Sequence, residues 1–206
     1  MKVGETPDAP VIADVTETLR RALSAELNPT GNSSGPQVVA HDLHSRPNGI
    51  PPTVGLILYE VGEDPYARNR PPVKTDAGAE WRVQPAPLGL MLRYMVTAWG
   101  DANSLQTHLD TQQRLLATVA ALFGRSPVFA GPALAGALAG TDQVLRLAMY
   151  PLSMEERVRV WQAFNEKYQL ALYYEVRVVN LPAGAAVAVP AVRERLLRPG
   201  LVEGGA

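Results

Sequence analysis

Cysteine is absent from this 206-residue sequence, which excludes disulfides, thiolate metal sites and cysteine nucleophiles. An excess of either charge is absent too, because 19 basic and 20 acidic residues give a formal net charge of -1. That balance provides no bulk attraction to nucleic acid. The sequence has no run of about 18 apolar residues, so we expect no membrane span. Its first residues, MKVGETPDAP, do not predict a secretory signal.

Motifs for catalysis and ligand binding are scarce as well. His41, Asp42 and His44 form a small polar group, but their spacing does not place both imidazoles on one face of a strand, so we expect a polar turn rather than a metal site. The glycine-rich AGPALAGALAGTD lacks the Lys followed by Ser or Thr of a phosphate loop. The patterns G-x-S-x-G and H-E-x-x-H are missing. We therefore expect no catalytic, metal or cofactor site.

Residues 11–27 form the first element with a clear period. Apolar residues recur there at helical spacing, which predicts an amphipathic helix. Glu17 and Arg21 lie four residues apart with the acid first, the favourable order for an ion pair on a helix.

A longer helix is predicted to begin after Asn103 or Ser104, because either side chain can cap it. Gly124, followed closely by Pro127, is expected to end this helix in the left-handed conformation. The apolar residues expected on its buried side are Leu105, Leu109, Leu116, Val119, Ala120 and Phe123.

Two adjacent carboxylates, Glu155 and Glu156, invite a catalytic interpretation. Ser153 and Glu156 have the spacing of a capping box, and the first turn of a helix favours negative charge. A helix start therefore explains both acids without catalysis. Its expected apolar face consists of Met154, Val158, Trp161 and Phe164.

Strands are predicted where the apolar pattern alternates or is continuous. The predicted strands are residues 38–44, 53–61, 88–100, 144–150 and 169–181. Residues 53–61 are apolar on both faces, which is typical of a strand that is covered on both sides. In the last strand we expect one face to belong to the core and the other to be at least partly exposed. One face carries Leu170, Leu172, Tyr174, Val176 and Val178, and the other carries Ala171, Tyr173, Glu175 and Arg177.

This order of elements favours an α+β domain with a mixed, mostly antiparallel sheet and packed helices. We assign the domain to residues 1–182 and an extended C-terminal tail to residues 183–206. Residues 62–87, rich in Pro, Gly and charge, are expected to form a long loop or a paired edge excursion. The tail contains the strand-prone AAVAVPAV, and an extended tail can add a strand to another subunit's sheet.

Five segments occur in a characteristic order. They are IADVTETLRRAL, LILYEVGEDPYARNR, PPVKT followed by PAPLGLMLRYMVTAWG, LQTHLDTQQRLLATVAALF, and PLSMEERVRVWQAFNEKYQLALYYEVRVV. This set, over residues 11–180, resembles the cap, or tail terminator, proteins of extracellular contractile injection systems, which are phage-tail-like particles. Longer members of that family carry a further C-terminal domain, and the sequence resembles the form that has the N-terminal domain alone.

The resemblance implies a fold similar to phage tail terminators and a structural role with no enzymatic activity and no cofactor. The implied partners are further copies in a homohexameric ring, the terminal sheath subunits and the terminal inner-tube subunits, with no nucleic acid and no membrane span. The implied location is a particle assembled from a protein made in the bacterial cytoplasm, either released or anchored by other parts.

We expect the interfaces to use the long loop, the last strand and the tail, because arginine and strand-prone segments suit subunit contacts. The expected interface residues are Arg68, Asn69, Arg70, Glu175, Arg177, Val187, Val189, Arg193 and Arg195. Two alternatives stay open. One is another neck or tail-completion protein of a phage-like particle. The other is a small ligand-binding α+β domain or enzyme, which needs a pocket with perturbed acids or histidines.

Overall fold

The computed structural model describes residues 11–43, 50–67, 71–76, 80–100, 104–181 and 186–190. The regular elements are α1 (Val11–Leu27), β1 (Gln37–Ala40), β2 (Thr53–Glu63), β3 (Val73–Asp76), β4 (Glu80–Gln84), β5 (Leu88–Trp99), α2 (Leu105–Arg125), β6 (Val128–Ala130), β7 (Val144–Met149), α3 (Met154–Ala163), β8 (Ala171–Leu181) and β9 (Val187–Pro190). Two short 3-10 turns, Gly131–Ala133 and Gly136–Leu138, lie between β6 and β7.

Six strands form the main sheet, in the order β1-β2-β5-β8-β7-β6. β1 runs parallel to β2, and every other neighbouring pair is antiparallel. The expectation of a mixed, mostly antiparallel α+β fold is therefore confirmed. β5 lies near the centre of the sheet, paired along its length with β2 and β8.

Apolar side chains cover both faces of this sheet. On one face α1 and α2 pack over a large cluster that includes Leu92, Tyr94 and Val96 of β5. On the other face α3 contributes Trp161 to a smaller cluster with Met95 and Trp99. The alternation along β5 thus supplies both cores at once, as a doubly covered strand requires.

The face of β8 that carries Glu175 and Arg177, on the α3 side of the sheet, is more buried than the alternating pattern predicts. Ala171, Tyr173 and Glu175 are buried, whereas 42% of the Arg177 side chain is exposed. The first part of the strand is covered because α3 and its Trp161 pack on that face. An alternating pattern does not reveal such a cover, since small and aromatic residues fit an exposed face as well as a buried one.

The long helix α2 differs from its prediction at both ends. Its Ser104 cap is confirmed, with the Ser104 hydroxyl accepting from the Thr107 amide at 3.4 Å. Leu105 and Leu109, expected to be buried, are 73% and 40% exposed. The buried residues are Gln112, Leu115, Leu116, Val119, Leu122 and Phe123, so the core underlies the helix only from Gln112 onward.

Neither Gly124 nor Met154 has its predicted role. The helix continues through Gly124 to Arg125, and the Ser126 amide closes it by donating to the Leu122 carbonyl. Met154, expected on the buried face of α3, is 58% exposed, whereas Trp161 is buried. A helical period places residues on a common face, but it does not say how far the neighbouring sheet extends along that face.

The glycine-rich connector between β6 and β7 is held by α1. Asp14 accepts a hydrogen bond from the Ala137 amide, and Thr18 accepts one from the Ala135 amide, each at 2.9 Å. Gly136 has a φ of +57°, and a Cβ there would lie 1.9 Å from the Asp14 carboxylate. Gly136 therefore allows close packing against a buried carboxylate, and the negative charge of that carboxylate is unfavourable for a phosphate at the same place.

Residues 62–87 contain a paired excursion rather than an open loop. β3 and β4 form a hairpin, and β9 from the predicted tail pairs antiparallel with β4. We call these three strands the ribbon. Among the described elements, the ribbon strands make their extensive contacts with one another only. The strand predicted within the tail thus forms, and in the single chain its partner is β4.

Candidate interaction surfaces

A ladder of alternating charges crosses the α3 face of the main sheet. Arg93 Nη1 donates to both carboxylate oxygens of Glu60, at 2.8 and 2.7 Å. Arg93 Nε lies 3.7 Å from Glu175 Oε2, and Arg177 Nε donates to Glu175 Oε1 at 2.9 Å. The four side chains thus form a continuous acid–base–acid–base row, which we call the charge ladder.

A β-bulge in β2 creates this row. The register between β2 and β5 shifts between Leu58 and Glu60, so that Glu60 comes to lie opposite Arg93. Regular alternation would have placed Glu60 on the same face as Leu58, on the opposite side of the sheet. The extra residue, Tyr59, moves the carboxylate to the face where the guanidinium lies, as bulges commonly do near functional surfaces.

Aromatic rings cover both arginines of the ladder. The Arg93 guanidinium lies 4.2 Å from the Tyr150 ring centroid, and that of Arg177 lies 4.7 Å from the Tyr66 centroid. The hydrogen bond to Glu175 raises the pKa of Arg177 above its usual range. Tyr66 is 79% exposed, so the Arg177 end of the ladder presents a stacked cation and ring at the surface.

Tyr59, which is partly buried, and Tyr173, which is buried, lie beside the ladder with their rings in an edge contact at 6.1 Å. Burial raises the pKa of Tyr173 to about 12 and that of Tyr59 further. Both phenols consequently stay protonated at neutral pH. Their environment favours packing and not proton transfer, because a general acid or base needs a pKa near the working pH.

The adjacent carboxylates of α3 form the predicted capping box. The Ser153 amide donates to Glu156 at 2.8 Å, and the Glu156 amide donates to the Ser153 hydroxyl at 3.3 Å. The Ser153 hydroxyl also donates to the Glu156 carboxylate at 2.7 Å, and this hydrogen bond, together with the one from the Ser153 amide, lowers the pKa of Glu156. Arg159 donates to Glu155 at 2.6 Å. The lowered pKa of Glu156 is the opposite of what a general acid requires. The capping box explains Glu156, and the ion pair with Arg159 explains Glu155, without catalysis.

A surface depression of about 770 Å³ lies between β1, β2 and Phe164. Its ionisable lining residues are His41 and Asp42. The hydroxyl of Thr16 donates to the Ile12 carbonyl at 3.1 Å, and that of Thr53 donates to the Pro51 carbonyl at 2.9 Å. Neither hydroxyl is directed at the imidazole, so these residues do not form a nucleophile–base pair.

His41 has a local structural role. Its Nδ1 accepts a hydrogen bond from the Leu43 amide at 2.7 Å, and its ring lies 5.3 Å from the Trp99 ring. Within the described ranges, no group of three or more His, Cys, Asp or Glu residues is arranged to hold a metal ion. None of the described helices combines the length and apolar character needed to cross a bilayer.

The expected interface residues lie in different parts of the molecule. Glu175 and Arg177 meet in the charge ladder. Val187 and Val189 lie on the ribbon, opposite Val83 and Trp81. The expected residues that lie outside the described residues are Arg68, Asn69, Arg70, Arg193 and Arg195, and the same holds for His44.

The ladder residues that the sequence interpretation missed are Arg93 and Glu60. A charge in the middle of an apolar strand was a signal for Arg93, because an isolated buried guanidinium needs a carboxylate partner. No comparable signal existed for Glu60, since only the bulge brings it to the same face.

Two solved structures of particle terminators share this fold. One is the sheath/tube terminator of PVC, an extracellular contractile injection system, in the extended state, with a TM-score of 0.56 and 17% identity over 95% of this chain and 66% of that chain. The other is the anti-feeding prophage cap, a tube terminating cap, with a TM-score of 0.60 and 19% identity over 93% of this chain and 62% of that chain. The chain thus has a tube-terminator fold and spans less than two thirds of either structure's length.

Residues 14–194 match the family model of the Pvc16 N-terminal domain, and the chain belongs to this family. The match includes the main sheet, its three helices and the ribbon. No curated protein sequence matches the chain at a significant level. The family membership and the fold agree with the family resemblance that the ordered sequence segments indicate.

Proposed function

We propose that this chain is a structural cap, or tail terminator, of a contractile, phage-tail-like injection particle. The observation that carries the proposal is the Pvc16 N-terminal domain match over residues 14–194, on a fold shared with two terminators. The chain acts by offering shaped surfaces to neighbouring subunits and not by converting a small molecule. An enzyme would need proton-transfer groups whose pKa values lie near the working pH. The charge ladder, Tyr59 and Tyr173 do not supply such groups.

The proposed assembly is a ring of six copies on the last layer of inner tube and sheath, where it stops further growth. A closed ring of identical subunits needs a head-to-tail interface, so each copy buries two different surfaces. The exposed end of the charge ladder, with Arg177 and Tyr66, has the arginine and aromatic character of interface centres. The ribbon, with Val187 and Val189, supplies a second surface.

We also propose that the remaining expected residues, Arg68, Asn69, Arg70, Arg193 and Arg195, contact ring neighbours, sheath or tube. Arginine suits such contacts because its planar guanidinium makes fixed, bidentate hydrogen bonds. The protein is made in the bacterial cytoplasm and acts only as part of the particle.

The decisive experiment removes the chain from cells that produce the particle and measures tube and sheath lengths by electron microscopy. We expect a broad length distribution with open, overgrown ends, restored to a single length by the unchanged chain. Particles of normal, uniform length without the chain would overturn the proposal. If labelled copies of the chain were found at the baseplate end of the particle, the chain would instead be assigned to another part of the tail.

A truncation tests the contribution of the tail. Deletion of residues 183–206 removes β9 but no strand of the main sheet, so the domain should still fold cooperatively. We expect this variant to restore length control poorly, because β4 then has no partner on its β9 side. Normal length control by the truncated chain would contradict the assignment of the tail to subunit contacts.

A further inference from the structure

The ribbon continues the central strand pair of the main sheet, yet the two are separate sheets. β4 leads into β5, and β8 leads toward β9. In the main sheet β5 pairs with β8, and the register ends at Leu88 opposite Leu181. In the ribbon β4 pairs with β9, and the register resumes at Val83 opposite Val187. The pairing of the same two chain segments is therefore interrupted between these two levels.

Proline explains the interruption. Pro85 and Pro87 have no amide hydrogen, so this part of the chain cannot donate the hydrogen bonds of a ladder. Residues 84–87 separate the two registers on one segment and residues 182–186 separate them on the other. This difference in length also disturbs a continuous register. Backbone hydrogen bonds thus hold the ribbon together and hold the main sheet together, but they do not join the two.

The connection from β2 to β3 begins with a turn that is fixed to the main sheet. The Asp64 amide donates to the Gly89 carbonyl at 2.9 Å. Ala67 is buried, and a Cβ on Gly89 would lie 2.5 Å from the Ala67 Cβ. This close contact makes the turn part of the main domain, so the boundary between the main domain and the ribbon lies beyond Ala67.

Side chains also do little to fix the angle between the ribbon and the main sheet. Within the described part of the chain, β3, β4 and β9 make their extensive contacts with one another only. Neither apolar cluster of the main domain includes a ribbon residue. Trp81, Val187 and Val189 are 37%, 59% and 42% exposed. Close packing is what normally holds two elements at one angle, and it is confined here to the main domain.

We infer that the ribbon is a hinged arm, which keeps its three-stranded structure and turns as a unit relative to the main sheet about Pro85 and Pro87. Hinges of this kind are commonly a few residues at the ends of regular elements. The use of the hinge rests on the proposed cap function. The charge ladder and the ribbon are the two surfaces proposed for subunit contacts, and a hinge between them lets each surface settle on its own partner. Assembly then fixes the angle.

Spin labels test the hinge in the isolated chain, because the chain has no cysteine of its own. The variant Arg82→Cys with Ala117→Cys carries one nitroxide on β4 and one on the exposed side of α2. Dilution with unlabelled chain restricts pulsed electron paramagnetic resonance to distances within one molecule. We expect a distance distribution at least about twice as wide as that of a pair within the main domain.

The matched control is Ala148→Cys with Ala117→Cys, which moves the ribbon label to an exposed position on β7. Equal widths for the two variants would overturn the inference. A third variant, Ala188→Cys with Ala117→Cys, places the label on β9 directly opposite Arg82. Equal broadening at Arg82 and Ala188 means that the ribbon moves as a unit. A broad distribution at Ala188 beside a narrow one at Arg82 would mean that β9 detaches alone, which also overturns the inference.

A backbone substitution tests where the hinge lies. Glycine has far more conformational freedom than proline, so Pro85→Gly with Pro87→Gly should widen the Arg82 distribution further, by roughly half again. The control pair at Ala148 should keep its width in this background, which also shows that the main domain is folded. An unchanged Arg82 distribution would exclude a hinge at these prolines.

The same labels in assembled particles test the use of the hinge. The Arg82 distribution should narrow to the width of the control, because neighbouring subunits then fix the angle. A distribution that stays broad in assembled rings would contradict this part of the inference. Particles without rings of this chain would refute the cap function, whereas the widths measured on the isolated chain would still decide whether the hinge exists.

Discussion

The main sheet and the ribbon are made from similar residues, yet they are buried very differently. Tyr94 and Met95 of β5 have no exposed surface, whereas Val187 and Val189 of the ribbon are 59% and 42% exposed. Both regions alternate β-branched and aromatic residues, which suit strands. The difference lies in cover: helices pack on both faces of the main sheet, whereas among the described elements no helix has an extensive contact with the ribbon. Strand propensity sets the local conformation, and burial sets the stability.

The largest expected effect breaks the main sheet. Trp99 is 1% exposed, and its ring packs so closely on Gly55 that a Cβ there would lie 2.6 Å away. Trp99→Ala should destabilise the fold by about 3–5 kcal/mol through lost burial and a cavity. Urea unfolding of the isolated chain measures the change. A loss below about 1 kcal/mol would show that this face contributes little to the stability of the domain.

A smaller effect is expected where α1 holds the connector. Asp14→Ala leaves the Ala137 amide without its acceptor and should cost about 1–3 kcal/mol. The matched control is Asp110→Ala, which removes an exposed carboxylate paired with Arg114 and should change stability by less than about 0.5 kcal/mol. Equal effects of the two substitutions in the same unfolding assay would contradict a structural role for the buried carboxylate.

Acid should weaken an ion pair on the surface of the main domain. Hydrogen bonds from Arg20 and Arg21 lower the pKa of Glu17 from 4.5 to about 2 in the folded chain. Because the folded pKa is the lower one, the stabilisation is present above pH 4.5 and is lost as the pH falls toward 2. Its size should stay below about 1 kcal/mol, since the pair is partly exposed. The stability difference between the unchanged chain and Glu17→Gln should therefore shrink between pH 6 and pH 3; a constant difference would exclude this linkage.

The smallest effect on folding is expected in the ribbon. Val189→Thr keeps strand propensity and shape and should change the thermal unfolding of the isolated chain by less than about 0.5 kcal/mol. The same change should weaken ring assembly, because it adds a hydroxyl to the surface of the ribbon that we propose for subunit contacts. A destabilisation comparable with that of Trp99→Ala would mean that the ribbon belongs to the main core, and the contrast between the two regions would fail.

Much of the fold was predictable because it depends on local rules. The bounds of α1, the capping box at Ser153 and the strand that became β5 follow from period, caps and flanking residues. The charge ladder was not predictable as a unit. Glu175 and Arg177 lie two residues apart and could be expected to share a face. Glu60 lies on that face only because of the bulge in β2, and no local sequence pattern predicts the position of the bulge.

The sequence by itself determined the three helices, the long strands of the main sheet and the absence of thiol chemistry, because these properties depend on composition and on residues close together in the chain. The tertiary structure alone decided how much of each apolar stripe is covered. Leu109 and Leu116 have the same helical period, and only the extent of the sheet beneath α2 leaves one exposed and buries the other. Burial is a property of what lies opposite a residue, and that partner comes from distant parts of the chain or, as we propose, from another copy.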